Sequence, residues 1–419
     1  MKLGEPFFHR RAGELCVENV PLASIAKAHG TPCYVYSRAA LEAAYAGFEA
    51  ELRAHAHLIC YAVKANSNLA ILNVFARLGA GFDIVSVGEL ARVLAAGGRA
   101  DRIVFSGVGK SADEIRAALQ ADIKCFNVES EAELERINNI AAAMHKKAPV
   151  SIRVNPDVDA KTHAHISTGK KENKFGISHG RVIPAYQRAA VLAHIEIVGI
   201  DCHIGSQVID PAPLFDAMER IVALSDELAA LGIKLKHISN GGGIGIRYRD
   251  TDQSMDIGAY LRGLIARIGA RDMELLLEPG RSLVGNAGVL VTRVEYLKDA
   301  GSKHFAVIDA AMNDLVRPAL YGAYHDIVAV APRGGQRRRY DIVGPVCEST
   351  DKLGQDRDLD IAQGDLLAIM SAGAYGMAMA SNYNTRPRAA EVLVEGDAVH
   401  LVRTREALQE LFAHERIVG

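Results

Sequence analysis

Eight apolar, β-rich runs recur through the first two-thirds of the chain, at residues 58–63, 82–85, 102–105, 124–128, 150–154, 197–202, 235–239 and 274–277. Most are apolar on both faces, as buried parallel strands are. Between them lie helix-like segments rich in Ala, Leu, Glu and Arg, such as residues 87–94 and 130–143. Eight strand–helix units over roughly 220–250 residues predict a (β/α)8 TIM barrel, the alternative being an open doubly wound sheet. The polar side chains favour the barrel. Lys64, Asp83, Ser106, Asn127, Asn155, His203, Asn240 and Glu278 all fall at the C-terminal ends of the runs, the face on which barrels carry their sites.

After about Gly285 the rhythm changes. Runs at 289–296, 304–308, 326–330, 340–343, 366–370 and 391–402 follow one another with little helix between them. The last is broken by Glu395-Gly396-Asp397, a hairpin signal. Residues 1–36 also hold strand-like pieces and no βα unit. The expected organisation is a barrel over residues 37–284 and an all-β domain from 1–36 and 285–419. A short closing helix is expected over 404–414, with Thr404 as its N-cap. The long polar stretch at 155–174 follows the fifth run on the active face, and its length suggests a functional loop.

Two domains suit a chain of 419 residues. A net charge of −2 offers no basic face, so no nucleic-acid partner is expected. The N-terminus lacks the apolar run of a signal peptide, and no run of ~18 apolar residues predicts a membrane span. The cysteines at 16, 33, 60, 125, 202 and 347 are scattered without a CxxC pair, so neither a zinc site nor a disulfide scaffold is indicated. A cytoplasmic setting fits best.

Several motifs invite nucleotide or metal readings and fail them. Gly241-Gly242-Gly243-Ile244-Gly245-Ile246 has Ile246 where a dinucleotide fingerprint needs its last glycine. Such a turn still lets backbone N–H groups approach an anion closely. Ser106-Gly107-Val108-Gly109-Lys110-Ser111 resembles the tail of a phosphate loop, but Val104 replaces its first glycine. His55-Ala56-His57 and His163-Ala164-His165 come with no carboxylate or cysteine at ligand spacing, so no metal is expected.

Lys64 lies in Tyr61-Ala62-Val63-Lys64-Ala65-Asn66. A snorkelling lysine is the bland reading. The apolar run before it suggests instead a buried amine with a lowered pKa, nucleophilic toward a carbonyl cofactor such as pyridoxal phosphate. Glu278, beside Pro279-Gly280-Arg281, suits a protonated ring nitrogen, whose charge keeps a pyridine an electron sink. His203 could be a satisfied core histidine; with these neighbours it suits stacking on the ring.

These residues bring a family into view. The chain resembles the diaminopimelate decarboxylases, pyridoxal-phosphate enzymes of the fold that also holds ornithine decarboxylase and alanine racemase. The matching pieces are Tyr61–Asn66, Gly81-Phe82-Asp83, Ser167-Thr168-Gly169 through Lys174-Phe175-Gly176, residues 203–207, 240–243 and 278–281, Arg317-Pro318-Ala319-Leu320-Tyr321, residues 344–351, and Ala372-Gly373-Ala374-Tyr375-Gly376. They span nearly the whole chain in the expected order. One departure is Lys161-Thr162-His163-Ala164-His165-Ile166, where the family often has a shorter piece.

The resemblance implies decarboxylation of meso-2,6-diaminopimelate to L-lysine and CO2, the last step of lysine biosynthesis. It implies Lys64 as the Schiff-base lysine, His203 on the ring and Glu278 at the pyridine nitrogen. Ser206, Gly243, Gly280, Arg281 and Tyr375 would cradle the phosphate, with Asp83 beside Lys64. Cys347 would protonate the reacting carbon from the other subunit of a homodimer with shared active sites. Arg281, Arg317, Tyr321, Glu348 and Tyr375 would contact substrate. The chemistry agrees: two arginines and a glutamate match the distal carboxylate and ammonium of diaminopimelate. Ornithine, lacking that carboxylate, would leave an arginine unpaired. The nearest alternative is a basic amino acid or carboxy-polyamine decarboxylase of the same fold. A cofactor-free binding relative is disfavoured by intact Lys64, Glu278 and Cys347.

Overall fold

A computed structural model of the protein describes residues 2–159 and 174–418. The departure at Lys161-Thr162-His163-Ala164-His165-Ile166, the matching piece Ser167-Thr168-Gly169 and most of the 155–174 loop lie outside the described residues. The chain divides into two compact units. One comprises Ala44–Ile246 and Ser254–Ser282; the other comprises Met1–Ala43, Arg247–Gln253 and Leu283–Gly419.

The first unit is a closed barrel. Its strands are His57–Ala62, Gly81–Ile84, Ile103–Phe105, Cys125–Val128, Ala148–Asn155, Ile195–Cys202, His237–Ser239 and Glu274–Leu277. Each pairs in parallel with the next. The eighth closes on the first, with Leu276 opposite Leu58. All eight apolar runs are therefore barrel strands, and the open-sheet alternative is excluded. Leu58, Cys60, Val104, Cys125, Val198 and Leu276 fill one part of the core, each large aliphatic contributing about 1.5–3 kcal/mol on burial. Gly199 leaves room for the buried His237 ring: a Cβ there would lie 2.0 Å from its Nε2.

Short caps turn the strands into helices on the site face. Asn68, Ser86, Ser111 and Ser130 each accept a backbone N–H from the first turn of the following helix, an interaction worth about 1 kcal/mol apiece. The segment that resembles the tail of a phosphate loop is pinned shut. Lys110 is buried, donating to Gly107 O, Asn127 O and Glu133 Oε1 at 2.8, 2.8 and 2.6 Å.

The second unit is mainly β. Phe8–Arg11, Glu14–Val17 and Val20–Pro21 form a small antiparallel sheet. A nine-stranded mixed sheet is built around the long strand Gly288–Asp299, which pairs with Cys33–Ser37, His304–Ile308 and Leu366–Ile369. Ala390–Glu395 and Ala398–Arg403 form the expected hairpin, with Gly396 at φ +60° in its turn. Phe8, Leu22, Val35, Val289, Val291, Ala368 and Val392 lie in one shared core.

Three details differ from expectation. The N-terminal segment carries a helix, Leu22–His29, where only strands are expected. An additional strand, Lys352–Leu359, lies at the sheet edge and is rich in charge, the usual protection of an edge. The closing α-helix does not form. Leu408–Phe412 is a short 3-10 turn that follows Ala407, not Thr404. Leu408 and Phe412 are 57% and 53% exposed, so no buried stripe holds a longer helix.

Candidate active site

The first barrel strand ends at Ala62, and Lys64 sits in the 3-10 turn Val63–Ala65 just beyond it. Tyr61 OH donates to Asn66 O at 2.8 Å and closes that turn. Lys64 Nζ reaches Asp83 Oδ2 on the neighbouring strand at 2.5 Å. The lysine side chain is 39% exposed and the aspartate 1%. The amine is therefore partly exposed rather than fully enclosed, and it lies against a buried carboxylate. Glu89, at the start of the next helix, accepts Val85 N at 2.7 Å. Burial raises its pKa to about 7, against the pull of that hydrogen bond and of Lys64.

Glu278 stands one residue past the eighth strand and is 7% exposed. Asn127 Nδ2 and Ser239 Oγ both donate to its Oε1 at 3.2 Å. Burial raises its pKa well above the ordinary 4.5, and Asp201 and Asp83 push the same way against Lys64 and Arg153. Such a carboxylate gains from a cationic hydrogen-bond donor brought to it.

The glycine turn is a packing necessity as well as an anion platform. Gly241 and Gly243 have φ of +64° and +95°. A Cβ on Gly242 would lie 2.0 Å from Glu278 O, and one on Gly243 would lie 2.1 Å from Gly205 O. Gly241 N donates to Ser239 Oγ, and Gly242 N to His203 Nδ1 at 3.2 Å. That leaves the Gly243 N–H as the member of the three suited to a phosphate. The bond from Gly242 also requires His203 Nδ1 to be unprotonated. Burial holds the His203 pKa well below 6.5, helped by the positive charges of Arg153 and Lys64, so the ring is neutral. Arg281 is buried and donates from Nη2 to Ser206 Oγ at 3.1 Å. Gly280 lets its turn approach the Lys64 turn, a Cβ there lying 3.1 Å from both Ala62 Cβ and Ala65 Cβ.

The barrel unit therefore brings together Lys64, Asp83, His203, Ser206, Gly243, Glu278, Gly280 and Arg281. It also carries charges that the apolar-run reading passes over. Arg153 pairs with Glu129 at 2.9 Å and approaches Asp201 at 4.0 Å. Glu129 further accepts Gly107 N and Gly176 N at 3.1 and 2.8 Å. The signal for Arg153 is the alternation Val150-Ser151-Ile152-Arg153-Val154-Asn155, which places Ser151, Arg153 and Asn155 on one face.

The remaining expected residues belong to the second unit. Arg317 opens the helix Arg317–Tyr321 and is 7% exposed. Its Nη1 lies 2.7 Å from His325 Nε2, and its guanidinium stacks over Tyr248. Tyr321 is half-buried at the end of that helix. Buried Asp351 shapes the loop of Cys347 and Glu348 by accepting Met312 N and Val346 N at 2.7 and 2.8 Å. Cys347 is the exposed member of six free cysteines, and its N–H donates to Asn384 Oδ1 at 2.9 Å. Glu348 accepts Tyr383 OH at 2.5 Å. Tyr375 is held at φ +56°, within a turn where a Cβ on Gly373 would lie 1.9 Å from Val284 O.

His57, expected as an unligated histidine, contacts Glu49 at 3.1 Å. Among the described residues no cluster of three or more His, Cys, Asp or Glu could hold a metal, and no helix is long and apolar enough to cross a membrane. A phosphorylated pyridine aldehyde fits what is present. It needs an amine for its aldehyde, an acid for its ring nitrogen and donors for its phosphate. Lys64, Glu278, and the group of Gly243, Ser206 and Arg281 are of those kinds, and the raised Glu278 pKa reflects buried negative charge that a ring N–H cation would offset.

Comparison with known proteins agrees. Residues 38–285 match the family model described as pyridoxal-dependent decarboxylase, pyridoxal binding domain. The diaminopimelate decarboxylase of Pseudomonas aeruginosa is 58% identical over 411 residues, 98% of this chain and 99% of that protein. That of Vibrio cholerae is 56% identical over 98% of this chain and 99% of that protein. The solved structure of the M. jannaschii diaminopimelate decarboxylase with L-lysine superposes with a TM-score of 0.95, at 36% identity and 99% coverage of both chains. A barrel that gathers a lysine, a buried glutamate and a glycine turn at its C-terminal face, carried on a sequence this similar, places the chain in the diaminopimelate decarboxylase family of pyridoxal-dependent decarboxylases.

Proposed function

We propose that this protein decarboxylates meso-2,6-diaminopimelate to L-lysine and CO2 with pyridoxal 5'-phosphate as cofactor. The observation that carries the reading is the pairing of Lys64 with buried Asp83 on the same barrel face as Glu278. When bound, pyridoxal phosphate supplies an electron sink for the electron pair left by departing CO2. Lys64 carries the amine for the cofactor's aldehyde, and Asp83 holds that amine. Glu278 holds a proton at the ring nitrogen. His203, neutral, packs against the ring without adding a second positive charge. Ser206, Gly243, Gly280, Arg281 and Tyr375 bind the phosphate.

The distal end of the substrate carries an ammonium and a carboxylate. Arg281, Arg317, Tyr321, Glu348 and Tyr375 bind the substrate, the arginines taking carboxylate and Glu348 taking ammonium. Cys347 delivers a proton to the carbon that lost CO2. An exposed thiol on a loop fixed by Asp351 suits delivery into the partner subunit's site, in a homodimer with shared active sites. Six free cysteines support a cytoplasmic setting. The test is incubation of the cofactor-loaded protein with meso-diaminopimelate, assaying lysine and CO2 in equal amounts. Faster turnover of ornithine, arginine or a carboxylated polyamine would reject the substrate.

A further inference from the structure

Asp201 has no role in the chemistry above, yet it is a carboxylate inside the barrel, 1% exposed. It lies level with Arg153 on the fifth strand and with Ser239 on the seventh. Arg153 gives its close contact to Glu129 and reaches Asp201 only at 4.0 Å. Among the described residues, Asp201 Oδ1 has no hydrogen-bond partner. Its neighbour in register is Ser239, whose hydroxyl donates to Glu278 Oε1 at 3.2 Å and accepts Gly241 N at 3.1 Å. A serine hydroxyl has one proton to donate, and Ser239 gives it to Glu278. The charged groups facing Asp201 are Arg153, Glu129 and Asp83; those facing Glu278 are Asp201, Asp83, Lys64 and Arg153. Since Arg153 is shared with Glu129, Asp201 keeps much of its negative charge.

We propose that Asp201 is a positioning residue that acts on Glu278 across the intervening Ser239, so that the buried acid pair selects the protonated form of the bound pyridine ring. The inference rests on the assignment of Glu278 to the ring nitrogen. A negative charge at Asp201 disfavours a second one at Glu278 and favours a cation beside it. Burial raises the Asp201 pKa to about 6, opposed by Arg153 and Ser239, as an acid without a full counter-charge should behave.

The test uses the holoenzyme loaded with pyridoxal phosphate labelled with 15N in the ring, and follows the ring nitrogen's NMR shift against pH. Cofactor retention is measured in parallel by equilibrium dialysis. Asp201→Asn keeps the shape and removes the charge. Its ring nitrogen should lose its proton about one pH unit lower than in the wild type, and the cofactor should bind about tenfold more weakly. The KM for meso-diaminopimelate should stay constant while kcat falls. Ser239→Ala removes the hydroxyl donor to Glu278, so its ring nitrogen should keep its proton to a higher pH, and in the double variant the two shifts should oppose one another. An unchanged nitrogen titration in Asp201→Asn overturns the proposal; if that variant does not fold, an unchanged titration in Asp201→Ser overturns it. Glu278→Gln separates the two readings. If it too leaves the nitrogen unchanged, the Glu278 assignment has failed; if it alone shifts the nitrogen, only the role of Asp201 has.

Discussion

Lys64 Nζ stands 2.5 Å from Asp83 Oδ2, a solvent-reaching amine tied to an enclosed carboxylate. The pair fixes where the amine sits, because Asp83 is set by the second barrel strand and Lys64 by a turn closed through Tyr61.

Lys64→Ala should therefore abolish the protein-bound cofactor absorbance, the borohydride-reducible adduct and turnover together. Asp83 would be left buried without its lysine, so a loss of about 1–3 kcal/mol in stability is expected as well. Absorbance spectra and mass spectrometry after reduction check this, and a reducible adduct on another lysine would sink the assignment.

Glu278→Gln should leave the fold intact and slow decarboxylation by about 10²–10³. Its effect on the cofactor-free protein should be opposite in sign. Burial, reinforced by Asp201 and Asp83, raises the Glu278 pKa above its ordinary 4.5. The native state then binds that proton more tightly than the unfolded chain, so the group's contribution is full below 4.5 and is lost as pH rises through the folded value. Thermal unfolding of the cofactor-free variant should show a flatter decline toward alkaline pH than the wild type. An equal or steeper decline would contradict a buried, proton-seeking Glu278.

The barrel is legible in the sequence because its strands are apolar on both faces and spaced by helices, a pattern that a closed parallel sheet requires. Lys64, His203 and Glu278 are legible because each interrupts or ends such a run. Asp201 and Arg153 are harder to read: Arg153 shows only in the alternation of its strand, and the partners of both lie on elements distant in sequence. The edge strand Lys352–Leu359 is obscured by the charges that protect it. Thr404 reads as a cap locally, but Leu408 and Phe412 in the turn behind it stay exposed.

Arg317→Ala should raise KM for meso-diaminopimelate by about tenfold or more while changing kcat less, since a charge-assisted hydrogen bond contributes about 1.5–3 kcal/mol. The same change removes the donor 2.7 Å from His325 Nε2. His325 Nδ1 stays against Met370 O at 2.9 Å, so the ring keeps one partner. Steady-state kinetics with a melting curve separates the two effects. An unchanged KM would remove Arg317 from the substrate contacts.

Lys64 and Cys347 should complement one another across a dimer. Lys64 belongs to the barrel unit, and Cys347 is an exposed thiol on a loop of the other unit. A thiol has an ordinary pKa of about 8.5, within reach of a proton donor to a carbanion at neutral pH. A two-fold dimer makes any such exchange reciprocal, so each site would take its lysine from one subunit and its cysteine from the other. Lys64→Ala and Cys347→Ala proteins should each be inactive. After mixing and verified subunit exchange, random pairing makes about half of the dimers mixed, and each mixed dimer holds one site with both residues intact. Activity should return to about a quarter of the wild-type level. If exchange is verified by native mass spectrometry and no activity returns, both residues serve the site of a single chain.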